Sequence, residues 1–275
     1  MTIVLVALSL VPLFGVLRWP GTALGPIGAV YRLVKRLETR FLRDADAIVV
    51  LTSRARTTIE RWPRLSLPPV TVIPTCVDLD RFSVATRPGS IALAPVFVYA
   101  GSLGTWYMLD EMLAFVEEGV GRFPSGRFVI LTRNRDEVTR ALERARLARE
   151  TVTVATASPE AVPGWLARAH VGLAFYKPGW ARQATCPTKI GEYLATGLPV
   201  IVNGVVGDVE SVIGTNRVGV VIPEFSRQAY GQALDDLEKL WADPGLSARC
   251  REVAETHFAL SSGVSQYWTI YQRLT

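Results

Sequence analysis

The stretch Cys186-Pro187-Thr188-Lys189-Ile190-Gly191-Glu192-Tyr193-Leu194-Ala195-Thr196-Gly197-Leu198-Pro199-Val200-Ile201-Val202 holds a helix, its stop and a buried strand. Pro187 opens a turn, and a short helix carries Lys189 and Glu192. Gly197 ends that helix, and Leu198 to Val202 is apolar enough to lie inside a parallel sheet. Lys189 and Glu192 stand three apart, so both project from one helical face. A cation able to hold phosphate and a carboxylate able to hold sugar hydroxyls then face one crevice. On an isolated surface helix the same pair would simply be solvated. Its place at a helix start, just ahead of a buried strand, sets it apart.

Outward from this stretch, strand and helix alternate from residue 95 to about residue 260. Strands are expected at Val96–Ala100, Arg127–Thr132, Thr151–Ala155, Val171–Tyr176 and Val218–Ile222. Helices are expected from the Gly101 loop through Val116, and at Asp136–Arg149, Pro159–Ala169, Gln228–Trp241 and Leu246–Phe258. This is the pattern of an α/β fold, a Rossmann-like doubly wound parallel sheet covered on both faces. Before it, Ala47–Thr52 and Val70–Pro74 read as buried strands, with Ser53 capping a helix over Arg54–Trp62. Arg87 to Pro95 reads as a linker, and Tyr267–Leu274 as a last helix. The chain divides into a partial N-terminal α/β segment with its linker at 1–94, a Rossmann-like unit at 95–260, and a C-terminal helix at 261–275 folded back on the N-terminal part.

Size and composition bound the function. The chain has 275 residues, 49% hydrophobic and 20% charged, which is globular and not disordered. A net charge of +5 suits an anionic substrate or a membrane surface. Cys76, Cys186 and Cys250 are odd in number and widely spaced. They form neither a metal pattern nor a disulfide framework, which points to a reducing compartment, the cytoplasm. Ile3 to Leu17 is almost wholly apolar and fits a buried strand followed by a loop, a membrane anchor, or a former core segment exposed where an ancestral domain was cut. Next comes a helix over Tyr31–Asp44, with Val30, Leu33, Val34, Leu37 and Phe41 on one side. Arg32, Lys35, Arg36, Arg40 and Arg43 make the rest of it basic. A normal surface helix explains that pattern; so does peripheral contact of residues 1–44 with anionic lipid, which would place the protein at the inner face of the membrane.

In a doubly wound sheet, ligands bind outside the carboxyl ends of the strands. Three loops meet that rule. Gly101-Ser102-Leu103-Gly104 follows a strand and precedes a helix, where glycines admit a phosphate to backbone amides. Alone, it is equally a tight turn. Tyr176 to Thr188 is long and cationic, with Lys177, Arg182, Gln183 and Thr185, and leads into Lys189. Asn203 to Asp208 carries two glycines that make room for a ligand or turn the chain. Trp106 and Tyr107, after the first loop, fit ligand contact and core packing equally. His170 and His257 fall at helix ends and read as structural. No Gly-x-Ser-x-Gly elbow or His-Glu-x-x-His is present. No basic stripe with interleaved aromatics points to nucleic acid, and nothing in the sequence sets the oligomeric state.

Taken together, these segments resemble the glycosyltransferases of the GT-B fold, group 1 (family 4) branch. Asp44 to Thr52 is similar to the family's last N-terminal strand, and Val70 to Phe82 to its interdomain crossing, with Thr75 and Cys76 where Asn and Gly are usual. Tyr99 to Gly104 resembles the first strand and phosphate loop of the donor domain, and Pro187 to Val202 the nucleotide-sugar site. The resemblance covers roughly residues 30–275. It implies transfer of a sugar, as a hexosyltransferase, from a nucleotide-diphosphate sugar to an unknown acceptor in glycan or cell-envelope polysaccharide synthesis. It also implies retention of configuration, no bound metal and no cofactor other than the sugar donor. Glu192 would hold the ribose; Lys189 and Thr188 would lie against the diphosphate. Gly101, Ser102 and Leu103 would form the phosphate loop, and Tyr176, Lys177, Arg182 and Thr185 the donor loop. Ala184 stands where the family's first glutamate is usual. Only residues 1–94 precede the donor unit, and no catalytic residue can be named in them. The alternative is a non-catalytic nucleotide-sugar-binding remnant or partner subunit.

Overall fold

The computed structural model describes residues 4–6, 26–62, 66–84, 94–104, 106–204 and 206–275. Residues 7–17 of the apolar start, and most of the expected linker, lie outside the described residues. Two parallel sheets organise the rest. The larger has six strands: β4 (Val96–Ala100), β5 (Arg127–Leu131), β6 (Val152–Ala155), β7 (Val171–Ala174), β8 (Val200–Asn203) and β9 (Gly219–Ile222), in the order β6-β5-β4-β7-β8-β9. Every pairing is parallel. β4, β7 and β8 are apolar at nearly every position because both faces are covered. Val98, Val200 and Tyr193 pack on one face; Phe97, Phe128 and Ile201 pack on the other. The chain reverses its direction of growth between β4 and β7, and that switch point opens a crevice at their carboxyl ends.

The smaller sheet has β1 (Val4–Val6), β2 (Ala47–Val50) and β3 (Val70–Val72), in that order and parallel. Helix α1 (Pro26–Asp44) and helix α2 (Ser53–Glu60) accompany it. Leu42, Ile48, Val50, Ala55 and Ile59 pack together on one face of β2. Ala47, Val49, Ile73 and Ile270 pack on the other. Ile270 comes from the last helix, so the C-terminal helix does fold back on the N-terminal part.

Around the large sheet run α3 (Leu109–Arg122), α4 (Arg135–Leu142), α5 (Val162–Leu166), α6 (Thr188–Ala195), α7 (Val209–Asn216), α8 (Arg227–Trp241) and α9 (Leu246–Phe258), and the last helix, α10 (Leu260–Leu274), packs on the small sheet. Several bounds differ from the sequence reading. α4 stops at Leu142, short of Arg149: continued as a helix, Leu147 would fall opposite Val138, whereas ending the helix lets Leu147 turn into the core. α5 is a single turn. α3 runs on to Arg122, α10 begins at Leu260, and α7 has no counterpart in the sequence reading. The cap of α2 is Thr52, not Ser53: its hydroxyl oxygen accepts from the Ala55 N–H at 3.0 Å.

One close approach fixes α6 on the sheet. A side chain at Gly172 on β7 would collide with the Tyr193 ring, so only glycine lets α6 lie this near. The Tyr193 hydroxyl then accepts from the Ala100 N–H at 2.9 Å. At the other end Gly197, at φ +71°, closes the helix in the left-handed conformation. α6 thus has one position, and its first turn lies beside the Gly101 loop.

Candidate functional site

Lys189 sits in that first turn, only 7% exposed. Its Nζ has no hydrogen-bond partner among the described residues. It lies 3.9 Å from the Tyr99 ring centroid and 3.7 Å from that of Tyr107, so two aromatic faces supply its near contacts. A Cβ on Gly101 would stand 3.0 Å from the same Nζ. Gly101, at φ +139°, therefore serves as space. Its own N–H is spent on the Leu131 carbonyl at 2.9 Å, prolonging the β4–β5 ladder. The floor of the loop is a buried amine directly beneath a gap in the backbone's side-chain cover. Burial holds the amine well below the ordinary lysine range, against a smaller opposing pull from Glu192.

Glu192, one turn on, lines an open cleft of about 440 Å³ with Arg81, Gly101, Ser102, Thr132 and Arg133. Burial raises its carboxyl above the usual range, and Arg81 and Lys189 pull it back. Lys189 and Glu192 do share a helical face, as their spacing predicts, but they act at different depths. The carboxylate borders the cleft, while the amine lies under its rim.

A second cation comes from the Tyr176–Thr188 loop. Arg182 is buried and stacks on Trp106 at 3.8 Å from the ring centroid. No ion pair to a carboxylate is made by Arg182 or Lys189 among the described residues. The Tyr107 ring contacts both Lys189 and the Tyr176 ring, the latter at 5.1 Å between centroids. The Tyr176 hydroxyl is also buried without a hydrogen-bond partner among the described residues. Buried polar atoms in native folds are almost always satisfied. Here Lys189 Nζ, against Gly101, and the Tyr176 hydroxyl depart from that rule.

The other sequence-derived candidates fall as follows. Ser102 is exposed at the cleft, and its carbonyl accepts from the Tyr99 hydroxyl at 2.6 Å. Leu103 turns its side chain into the core, and its N–H donates to Asn134 Oδ1 at 3.1 Å, so it contributes nothing to a ligand directly. Thr188 is exposed at the start of α6, and Lys177 is exposed on the loop. Thr185 lines a separate crevice near the interunit crossings. His170 is buried, and its Nδ1 accepts from the Val96 N–H at 3.0 Å, as a structural residue should. Arg81 and Arg133 were not singled out by the sequence reading. Arg133 sits just past the carboxyl end of β5, where the strand-end rule alone could have found it. Arg81 reaches the cleft only through the interunit crossing, which has no periodic signal.

This arrangement defines a class. It is an α/β protein whose switch-point cleft is bordered by Glu192, Arg81 and Arg133, with the buried amine of Lys189 beneath Gly101. A family model described as glycosyl transferases group 1 matches residues 94–239. The chain therefore belongs to the group 1 glycosyl transferase family. Solved structures agree on the fold. Sucrose-phosphate synthase from Thermosynechococcus elongatus superposes with a TM-score of 0.74 at 18% identity, covering 98% of this chain and 67% of that one. HepE from Anabaena, solved with UDP and glucose, gives 0.69 at 13%, with 98% and 71% covered. The pneumococcal O-GlcNAc transferase GtfA, solved with UDP and GlcNAc, gives 0.64 at 17%. It shares 84% of this chain and 45% of its own length. No curated protein matches the chain. The GT-B fold expected from the sequence is thus established.

Proposed function

We propose that the chain transfers a sugar from a nucleoside-diphosphate sugar, with Lys189 and Arg182 carrying the charge of the leaving diphosphate and Glu192 accepting from ribose hydroxyls. The observation that supports this most is the orphaned Lys189 Nζ under Gly101. A diphosphate oxygen at the loop would give that amine the bond it lacks, and in so doing raise its affinity for a proton. Both cations are fixed before any ligand arrives, which is the condition for stabilising charge that develops on a leaving group. Retention of configuration, and the cations serving in place of a metal, belong to the same proposal. Incubating the chain with UDP-, GDP- and ADP-sugars and following nucleotide release tests it. Release that disappears in Lys189→Met supports the reading, and equal release by both chains removes it.

The acceptor side meets a surface. On α1 the apolar side chains turn away from the fold: Leu33 is 57% exposed, and Val30, Leu37 and Phe41 are exposed with it. Arg36, Arg40 and Arg43 flank that stripe and are exposed as well. A helix with its apolar stripe outward and basic residues beside it lies well on anionic lipid. No helix among the described residues is long and apolar enough to cross a membrane.

A second reading, a binding subunit without turnover, draws on Ala184. This residue is buried among Ile48 of the small sheet and Ala55 and Ile59 of α2. A sugar-positioning carboxylate at that place would be desolvated. Tight nucleotide binding without release in the assay above would favour this reading.

A further inference from the structure

Arg182 is held by a loop with little structure of its own. Residues Trp180–Ala184 form one short 3-10 turn with no side-chain cap. Its remaining supports come from elsewhere. The Gly207 N–H donates to the Arg182 carbonyl at 2.8 Å. The Thr52 hydroxyl donates to the Gln183 carbonyl at 2.5 Å. The Ala184 side chain is buried in the core of the small sheet. Two of these three supports belong to the N-terminal unit, and the third joins the loop to the turn after β8.

That turn is itself tied to the N-terminal unit. The Asp208 carboxylate accepts from the Ser53 N–H at 2.6 Å and from the Arg54 N–H at 3.1 Å. It is the anion at the start of α2, supplied by the other unit. Thr52 finishes that cap by accepting from Ala55 while it donates to Gln183. Arg54 also reaches Glu210 at 3.0 Å. Gly207 passes so close to the Thr185 carbonyl and the Thr52 methyl that a side chain there would collide with both. α2, the β8 turn and the Arg182 loop are therefore knit through one junction, with Thr52 bonded in two directions at its centre.

We propose that Thr52 and Asp208 are positioning residues for the donor: the small N-terminal unit holds the Arg182 loop in its binding geometry. This rests on the assignment of Arg182 to the diphosphate. It gives the small sheet a role in donor binding that is separate from any acceptor it serves. Thr52 touches no substrate in this scheme; it acts through the Gln183 carbonyl and hence through Arg182.

A double-mutant cycle tests it on the intact chain. The probe is whichever of UDP, GDP and ADP binds the unaltered chain most tightly, titrated by calorimetry. Thr52→Val keeps the shape of the side chain and removes the hydroxyl; Thr52→Ser keeps the hydroxyl. We expect Thr52→Val to weaken the probe about tenfold, the scale of a cation held slightly out of place, and Thr52→Ser to stay within about twofold. In an Arg182→Ala background Thr52→Val should have no further effect, because coupled residues are not additive. Asp208→Asn repeats the cycle should Thr52→Val fail to fold. An unchanged affinity in Thr52→Val, or a loss that persists in full beside Arg182→Ala, overturns the positioning role. If Arg182→Ala alone leaves affinity intact, the diphosphate assignment of Arg182 fails, and the positioning role fails with it.

Discussion

The two sheets of this protein solve the same problem unequally. The six-stranded sheet buries both faces, and its helices turn their apolar sides inward. Its unusual residues are polar ones trapped inside, Lys189 and the Tyr176 hydroxyl. The three-stranded sheet is covered by α2 and α10, yet α1 leaves an apolar stripe facing out, and so does α10 with Leu260, Val264, Trp268 and Tyr271. One unit hides polar atoms where a ligand would satisfy them, and the other shows apolar atoms where a surface would cover them. Both conditions are unfavourable for the isolated chain, and the proposed donor and surface would each relieve one of them. Function is therefore most legible where each unit departs from ordinary burial.

The largest expected effect lies in the large unit. Lys189→Met should weaken nucleoside diphosphate binding by about 1–3 kcal/mol, the scale of a charged hydrogen bond. The same change should stabilise the fold by an amount on the order of 1 kcal/mol, since it replaces a desolvated amine by an apolar chain of similar length. The sign with pH follows from linkage. Burial lowers the folded-state pKa of Lys189 beneath the ordinary 10.5. Between those two values the unfolded chain binds the extra proton, so stability climbs as pH rises toward 10.5. The advantage of Lys189→Met should accordingly be greatest at low pH and vanish above that value. Thermal melts at several pH values check this.

Next in size is Glu192→Ala, expected to cost about 1–2 kcal/mol of binding to a nucleoside diphosphate, and less to inorganic pyrophosphate, which carries no ribose. Equal losses for both probes would detach Glu192 from the ribose. A smaller, proton-linked effect follows from the same two residues. Anion binding draws Lys189 toward its charged form, so titrations in buffers of different ionisation enthalpy should report net proton uptake. Glu192, its pKa raised by burial, should weaken binding again as acid neutralises it.

In the small unit, Leu33→Asp with Phe41→Asp should abolish co-sedimentation with anionic vesicles while leaving nucleotide affinity within about twofold. Loss of both would mean that the exposed stripe of α1 supports the fold. Retention of both would mean that it is not the contact surface.

Much of this was readable in the chain. Continuous apolar runs such as Val96–Ala100 announced buried parallel strands, and their alternation with helices announced the doubly wound sheet. The Lys189–Glu192 spacing put both residues on one face of α6. What escaped the sequence depends on contacts between distant segments. The Thr52 cap looked like a Ser53 cap because both residues suit the position, and only Asp208, far along the chain, decides which N–H groups remain for Thr52 to satisfy. Arg81 and Arg133 reach the cleft by topology, which no local pattern encodes. The resemblance placed Leu103 in the phosphate loop, and its N–H donates to Asn134 Oδ1, a contact no local pattern encodes.

In the proposed function the buried amine of Lys189 supplies one half of a diphosphate contact. The most direct test is calorimetric titration of UDP, GDP and ADP into the unaltered chain and into Lys189→Met, with melting curves of both. A nucleotide that binds the first and binds the second at least about fivefold more weakly, while the second melts at a higher temperature, is the predicted result. Equal affinity in the two chains, with Lys189→Met no more stable than the original, would contradict it.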